Sequence, residues 1–183
     1  MSKEYFIKLV ILGYGEVGKS EIMKQLISED VFKELHQYDR VSFFDLTSKD
    51  KIFKFTVLEP ILRPDLRKAK ANYSYVKPVF YSGTHIILLV FDITDQNSFE
   101  NVKDWYLDLI EHFQELGETL PQFIVIGNKV DRESERKVSK DAGKQYVKDI
   151  NARYIEISAR EKVGLEILNE SLIETCLRII NQK

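Results

Sequence analysis

The chain lacks most of the residues that would fix a chemistry by their count alone. It has one cysteine, Cys176, in 183 residues. No disulfide can form within it, and a reducing compartment, the cytoplasm, is the expectation. Cys176 follows Leu172 by four residues in a helical apolar pattern, which places the thiol in a core rather than at a reactive site. The three histidines, His36, His85 and His112, are far in sequence from one another and from the cysteine, so no zinc-ligand spacing is present. Charge of one sign is not in excess: 27 Lys and Arg against 29 Asp and Glu leave a formal net charge of −2. This argues against nucleic acid and against an acidic lipid surface as partners. No apolar run approaches the roughly 20 residues of a membrane helix. The longest, Ile86 to Phe91, reads as a buried strand. Lys3, Glu4 and Lys8 interrupt the N-terminal apolar stretch, which argues against a signal peptide. The closing Ile180-Asn181-Gln182-Lys183 holds no prenylation cysteine, so membrane association would need a lipidated tail beyond these residues. Internal repeats, linkers and low-complexity tracts are also lacking.

What is there is a globular pattern. Hydrophobic residues make up 44% and charged residues 31%, the proportions of a soluble domain, and residues 1–183 suffice for one domain with a full core. Apolar runs predict strands at about 5–12, 41–46, 52–58, 85–92, 123–127 and 153–157. Helical stripes predict helices at about 19–28, from Asn97 to near Gly117, from a Ser139 cap to about 149, and over 164–180. Asn97 with Glu100 three residues on suggests a capping box. The four polar residues Ser48 to Lys51 suggest an antiparallel hairpin. Strands alternating with helices then predict a three-layer α/β fold: a six-stranded, mostly parallel sheet with one antiparallel strand and helices on both faces.

The informative stretch is Gly13-Tyr14-Gly15-Glu16-Val17-Gly18-Lys19-Ser20, directly after the first strand. It has the form G-x-x-x-x-G-K-S of a phosphate-binding loop. Glycines let consecutive backbone N–H groups turn inward around an anion, and the helix that follows adds its positive end. Gly13 through Glu21 are therefore the candidate phosphate cradle. Lys19 is placed to reach the outer phosphates and assist catalysis, and Ser20 to ligate Mg²⁺. Ligands of such a sheet bind beyond the carboxyl ends of its strands. Two further polar elements fall at such ends: Asn128-Lys129-Val130-Asp131 and Ser158-Ala159-Arg160.

Together these three elements resemble the Ras-like small GTPases, most closely the Rab branch. The similarity covers nearly the whole chain and includes Phe80-Tyr81-Ser82-Gly83 and Val90-Phe91-Asp92-Ile93-Thr94-Asp95. The resemblance implies a G domain that binds GTP or GDP with Mg²⁺ and serves vesicle traffic or signalling through protein effectors. It assigns Asp131 to the guanine N1–H and amine. Lys129 would stack over the base, and Asn128 would tie the base to the glycine loop. Ala159 N–H would meet the guanine oxygen, with Ser158 supporting and Arg160 standing where lysine is usual. A carboxylate placed for two parallel donors rejects adenine, which lacks them.

Both loops that sense the terminal phosphate in that family depart from pattern. The threonine expected before the second strand falls at Tyr38 or, shifted by one, at Asp39. The aromatic residue expected beside the base falls at Val31, next to Phe32. The Asp-x-x-Gly-Gln element reads Glu59-Pro60-Ile61-Leu62-Arg63. Glu59 keeps a carboxylate able to act on Mg²⁺ through water, whereas Leu62 replaces glycine and Arg63 replaces the catalytic glutamine. A guanidinium cannot accept a hydrogen bond from the attacking water; its remaining catalytic use would be to stabilise developing charge. The expectation is retained nucleotide affinity with slow hydrolysis. The alternative is a pseudo-GTPase interaction module in which the nucleotide is a structural ligand. A P-loop kinase would leave Asn128-Lys129-Val130-Asp131 unexplained.

Overall fold

The computed structural model describes residues 2–27, 41–60 and 80–182. Within these, strands β1 (Lys3–Gly13), β2 (Val41–Ser48), β3 (Lys51–Leu58), β4 (Ile86–Asp92), β5 (Gln122–Asn128) and β6 (Arg153–Glu156) form one sheet. Its order is β2-β3-β1-β4-β5-β6. Every pairing is parallel except β2 with β3, as the sequence predicts. Helices α1 (Lys19–Leu26), α2 (Gln96–Leu116), α3 (Lys140–Asp149) and α4 (Leu165–Asn181) connect or follow the strands.

The central strands are continuous apolar runs because both of their faces are covered. Ile7, Leu9 and Ile11 of β1 join Ile22 and Met23 of α1 and Leu168, Leu172 and Cys176 of α4 in one core layer. Val10 and Leu12, one residue out of phase, join Val102, Trp105, Leu109 and Phe113 of α2 and Val147 of α3 in the other. The period of two along each strand thus sorts side chains into two cores around one sheet. Cys176 lies fully buried, and burial pushes its thiol up to about 12, which keeps it protonated and inert.

Local details differ from the sequence pattern in three places. The hairpin is tighter than expected: Ser48 pairs with Lys51, and Lys49, at φ 53, turns the chain with Asp50. Helix α1 stops at Leu26 because Ile27 is extended, at φ −111 and ψ 147; Ile27 still reaches the core. The N-cap of α2 is Asp95, whose carboxylate accepts from Asn97 N–H at 3.0 Å. Asn97 is one of the helical residues, and Glu100 instead accepts from Gln96 and Lys103. The shorter Asp95 loop satisfies the first-turn donors, so the Asn97–Glu100 box is not needed. The Ser139 cap of α3 is as expected, accepting from Ala142 N–H at 3.1 Å.

Candidate nucleotide-binding site

Strand β1 ends and α1 begins within six residues, and the geometry of that turn depends on two glycines. A Cβ at Gly13 would lie 2.3 Å from the backbone oxygen of Val90 on the neighbouring strand β4. Gly18 has φ +93, and a Cβ there would lie 2.3 Å from Asn128 Nδ2. Neither position has room for a side chain, while Gly15 has nothing within 4 Å. Tyr14, Gly15 and Glu16 form the exposed crest of the loop, and Val17 is buried beneath it. Lys19 curls back over the loop, its ammonium donating to Gly13 O at 3.1 Å and Tyr14 O at 3.0 Å. Glu21, in the first turn of α1, pairs with Lys24 at 3.1 Å.

The β5 and β6 ends close on this loop. Asn128 is buried and uses both ends of its amide: Nδ2 donates to Val17 O at 2.8 Å, and Oδ1 accepts from Ala159 N–H at 3.1 Å. One side chain therefore ties the glycine loop, the β5 end and the β6 end together. Ser158 Oγ donates to Asp131 Oδ1 at 2.5 Å and accepts from Glu161 N–H, and a paired Ser158–Val163 bridge closes that loop. A cavity of about 220 Å³ lies where the three loops meet, lined by Gly18, Asn128, Lys129, Asp131, Ala159 and Arg160 together with Glu21 and Arg132. The structure thus brings together residues that are more than a hundred positions apart in sequence.

The phosphate side has a second convergence. Ser20 Oγ lies 3.2 Å from each oxygen of Glu59, and Glu59 is only 3% exposed. A hydroxyl and a buried carboxylate at the foot of an anion loop form an oxygen donor set suited to Mg²⁺. Among the described residues no cluster of three or more His, Cys, Asp or Glu offers a different metal site. Tyr38, Asp39, Val31, Phe32, Ile61, Leu62 and Arg63 lie outside the described residues.

Sequence reasoning assigned no role to Asp92, the last residue of β4. It pairs in register with Asn128, and its Oδ2 lies 2.8 Å from Lys129 Nζ. Its Oδ1 accepts from both Thr94 N–H and Thr94 Oγ1 at 2.8 Å. Burial by itself pushes this carboxyl up, but the Lys129 ammonium and the two Thr94 donors outweigh it and hold the group below the usual carboxylate range. Only the register of β4 against β5, which sets Asp92 beside Asn128, brings this carboxylate to Lys129. Arg136 and Glu156 were missed as well. The guanidinium meets Glu156 through two bonds of 3.0 Å and also Glu133 at 2.7 Å, clamping the chain after Asp131 to strand β6. Tyr154 Oη donates to Glu156 at 2.6 Å.

Comparison with known proteins agrees with this arrangement. The sequence model of the Ras family matches residues 8–178. Ras-related protein Rab-21 from Bos taurus is 31% identical over 178 residues, covering 97% of this chain and 75% of its own. Ras-related protein RabC from Dictyostelium discoideum is 26% identical over 174 residues, covering 95% and 85%, and Ras-related protein RabJ from the same organism is 32% identical over 162, covering 87% and 59%. A phosphate-loop site at the carboxyl edge of a six-stranded sheet, matched over nearly its full length, makes the chain a member of the Ras family of small GTPases, similar to the Rab proteins.

Proposed function

We propose that residues 1–183 form one G domain that binds GTP and GDP with Mg²⁺ and hydrolyses GTP slowly. The observation that carries the nucleotide reading is the Asn128 amide, which locks the glycine loop and both base-side loops around one cavity. In this reading Gly13 to Glu21 hold the phosphates, with Lys19 on the outer ones. Asp131 receives the guanine N1–H and amine. One of its oxygens already accepts from Ser158, and a carboxylate has lone pairs enough for these further donors. Lys129 lies along the base, and Arg160 flanks the cavity. Ala159 N–H, already on Asn128 Oδ1, is the donor that the guanine oxygen shares. Ser20 and Glu59 are the residues that would hold Mg²⁺, Glu59 through water; bound there, the ion would neutralise phosphate charge.

The slow step follows from Leu62 and Arg63. Positioning and electrostatics supply nearly all the rate in phosphoryl transfer, and Arg63 cannot orient the water by accepting a hydrogen bond from it. Its one catalytic use is to stabilise charge. A role in vesicle traffic or signalling through protein effectors is the biological counterpart of the Rab similarity. Single-turnover hydrolysis of GTP tests the reading. The expected rate lies below about 10⁻⁴ s⁻¹, under the intrinsic rate of an unassisted GTPase. A rate at or above that value would show that Leu62 and Arg63 do not impair the chemistry. No hydrolysis at all with tight binding would favour the alternative of an interaction module with nucleotide as structural ligand.

A further inference from the structure

The Asp92–Lys129 pair is not explained by the fold. Asp92 ends the fully buried strand β4, where a carboxylate is costly unless paired. Lys129 is in the left-handed region at φ 70, a conformation that a non-glycine residue keeps only when its surroundings over-determine it. Its ammonium is held on Asp92 Oδ2 at 2.8 Å while the residue lines the base-side cavity. With the charged head fixed there, what Lys129 can offer a flat ligand is its four-carbon stem. Thr94 fixes Asp92 in turn with two donors on the opposite carboxylate oxygen.

We propose that Asp92 is a positioning residue for guanine binding: with Thr94 it anchors the Lys129 head so that the stem is presented to the base. The idea rests on the reading of Asn128, Lys129 and Asp131 as the base-contacting set. Lys129 loses side-chain freedom before the ligand arrives, and preorganisation of this kind raises affinity by lowering the ordering cost of binding.

Asp92→Asn isolates the effect. The Asn Oδ1 still accepts both Thr94 bonds, so the turn survives, while the amide opposite Lys129 carries no charge. GDP dissociation constants are measured calorimetrically with Mg²⁺ for the parent chain, Asp92→Asn, Lys129→Ala and the double variant, with far-UV circular dichroism as the fold control. Each single substitution is expected to weaken GDP about tenfold, the factor typical of one charge-assisted hydrogen bond. The double variant is expected to bind no more weakly than Lys129→Ala alone. Thr94→Val, which loosens Asp92 without removing its charge, is expected to cost about threefold and again nothing further in the Lys129→Ala background. If Asp92→Asn or Thr94→Val costs its full factor when Lys129 is absent, Asp92 does not act through Lys129 and the proposal falls while the base reading stands. If Lys129→Ala leaves GDP affinity unchanged, both fall.

Discussion

At the scale of single residues, the site depends on a few positions where the chain has no steric or chemical slack. Gly18 is one. Alanine there would carry a Cβ within 2.3 Å of Asn128 Nδ2 at a φ of +93, so Gly18→Ala should push Asn128 off Val17 and weaken GDP binding by more than about tenfold. Gly15→Ala meets no protein atom within 4 Å, so the fold should accept it with a thermal midpoint like the parent's. Asp131→Asn should lower guanine affinity by about a hundredfold, since it exchanges a charged double acceptor for a group that can present only one; unchanged affinity would remove Asp131 from the base site. Much of this was legible in the sequence. The glycine spacing with Lys19 and Ser20 is a local pattern that suggests a phosphate loop, and Asn128 and Asp131 take their proposed base role from the family resemblance. Asp92 and Arg136 were not legible in the same way. Their partners, Lys129 and Glu156, come from other strands or turns, and only strand register brings them into contact.

At the scale of elements, the base-side loops owe their shape to packing behind them. Helix α3 approaches β6 so closely that a Cβ on Gly143 would lie 2.4 Å from the Tyr154 ring, and the Tyr154 hydroxyl bonds to Glu156, the carboxylate that clamps Arg136. Gly143→Ala should therefore destabilise the protein by about 1–3 kcal/mol, the usual cost of overpacking, seen as a lower thermal midpoint. A merely favourable helix substitution would raise it instead. The element pattern itself was readable because each strand and helix has a clear period. Its ends were less so. The Asp95 cap of α2 and the tight Lys49-Asp50 turn reflect short-range competition among polar side chains for the same backbone donors, and several residues could have won that competition from sequence alone.

At the scale of the whole molecule, one sheet carries two cores, and the glycine loop meets the β5 and β6 ends around one cavity at its edge. Among the described residues no helix is long and apolar enough to cross a membrane. Stability should respond to acid partly through Asp92. Its native carboxyl lies below the ordinary range, so its contribution is present above the unfolded value of about 3.9 and is lost as pH falls through the lowered native value. Urea unfolding of Asp92→Asn should accordingly lose less stability than the parent between about pH 6 and about pH 3; an equal loss would show that the pair does not contribute. In the proposed reading this edge selects guanine. Competitive calorimetry of GDP against ADP, with Mg²⁺ present, tests it most directly. GDP should bind at least about a thousandfold tighter, because adenine leaves Asp131 without its two donors, whereas equal affinities would contradict the assignment of Asn128, Lys129 and Asp131 to the base.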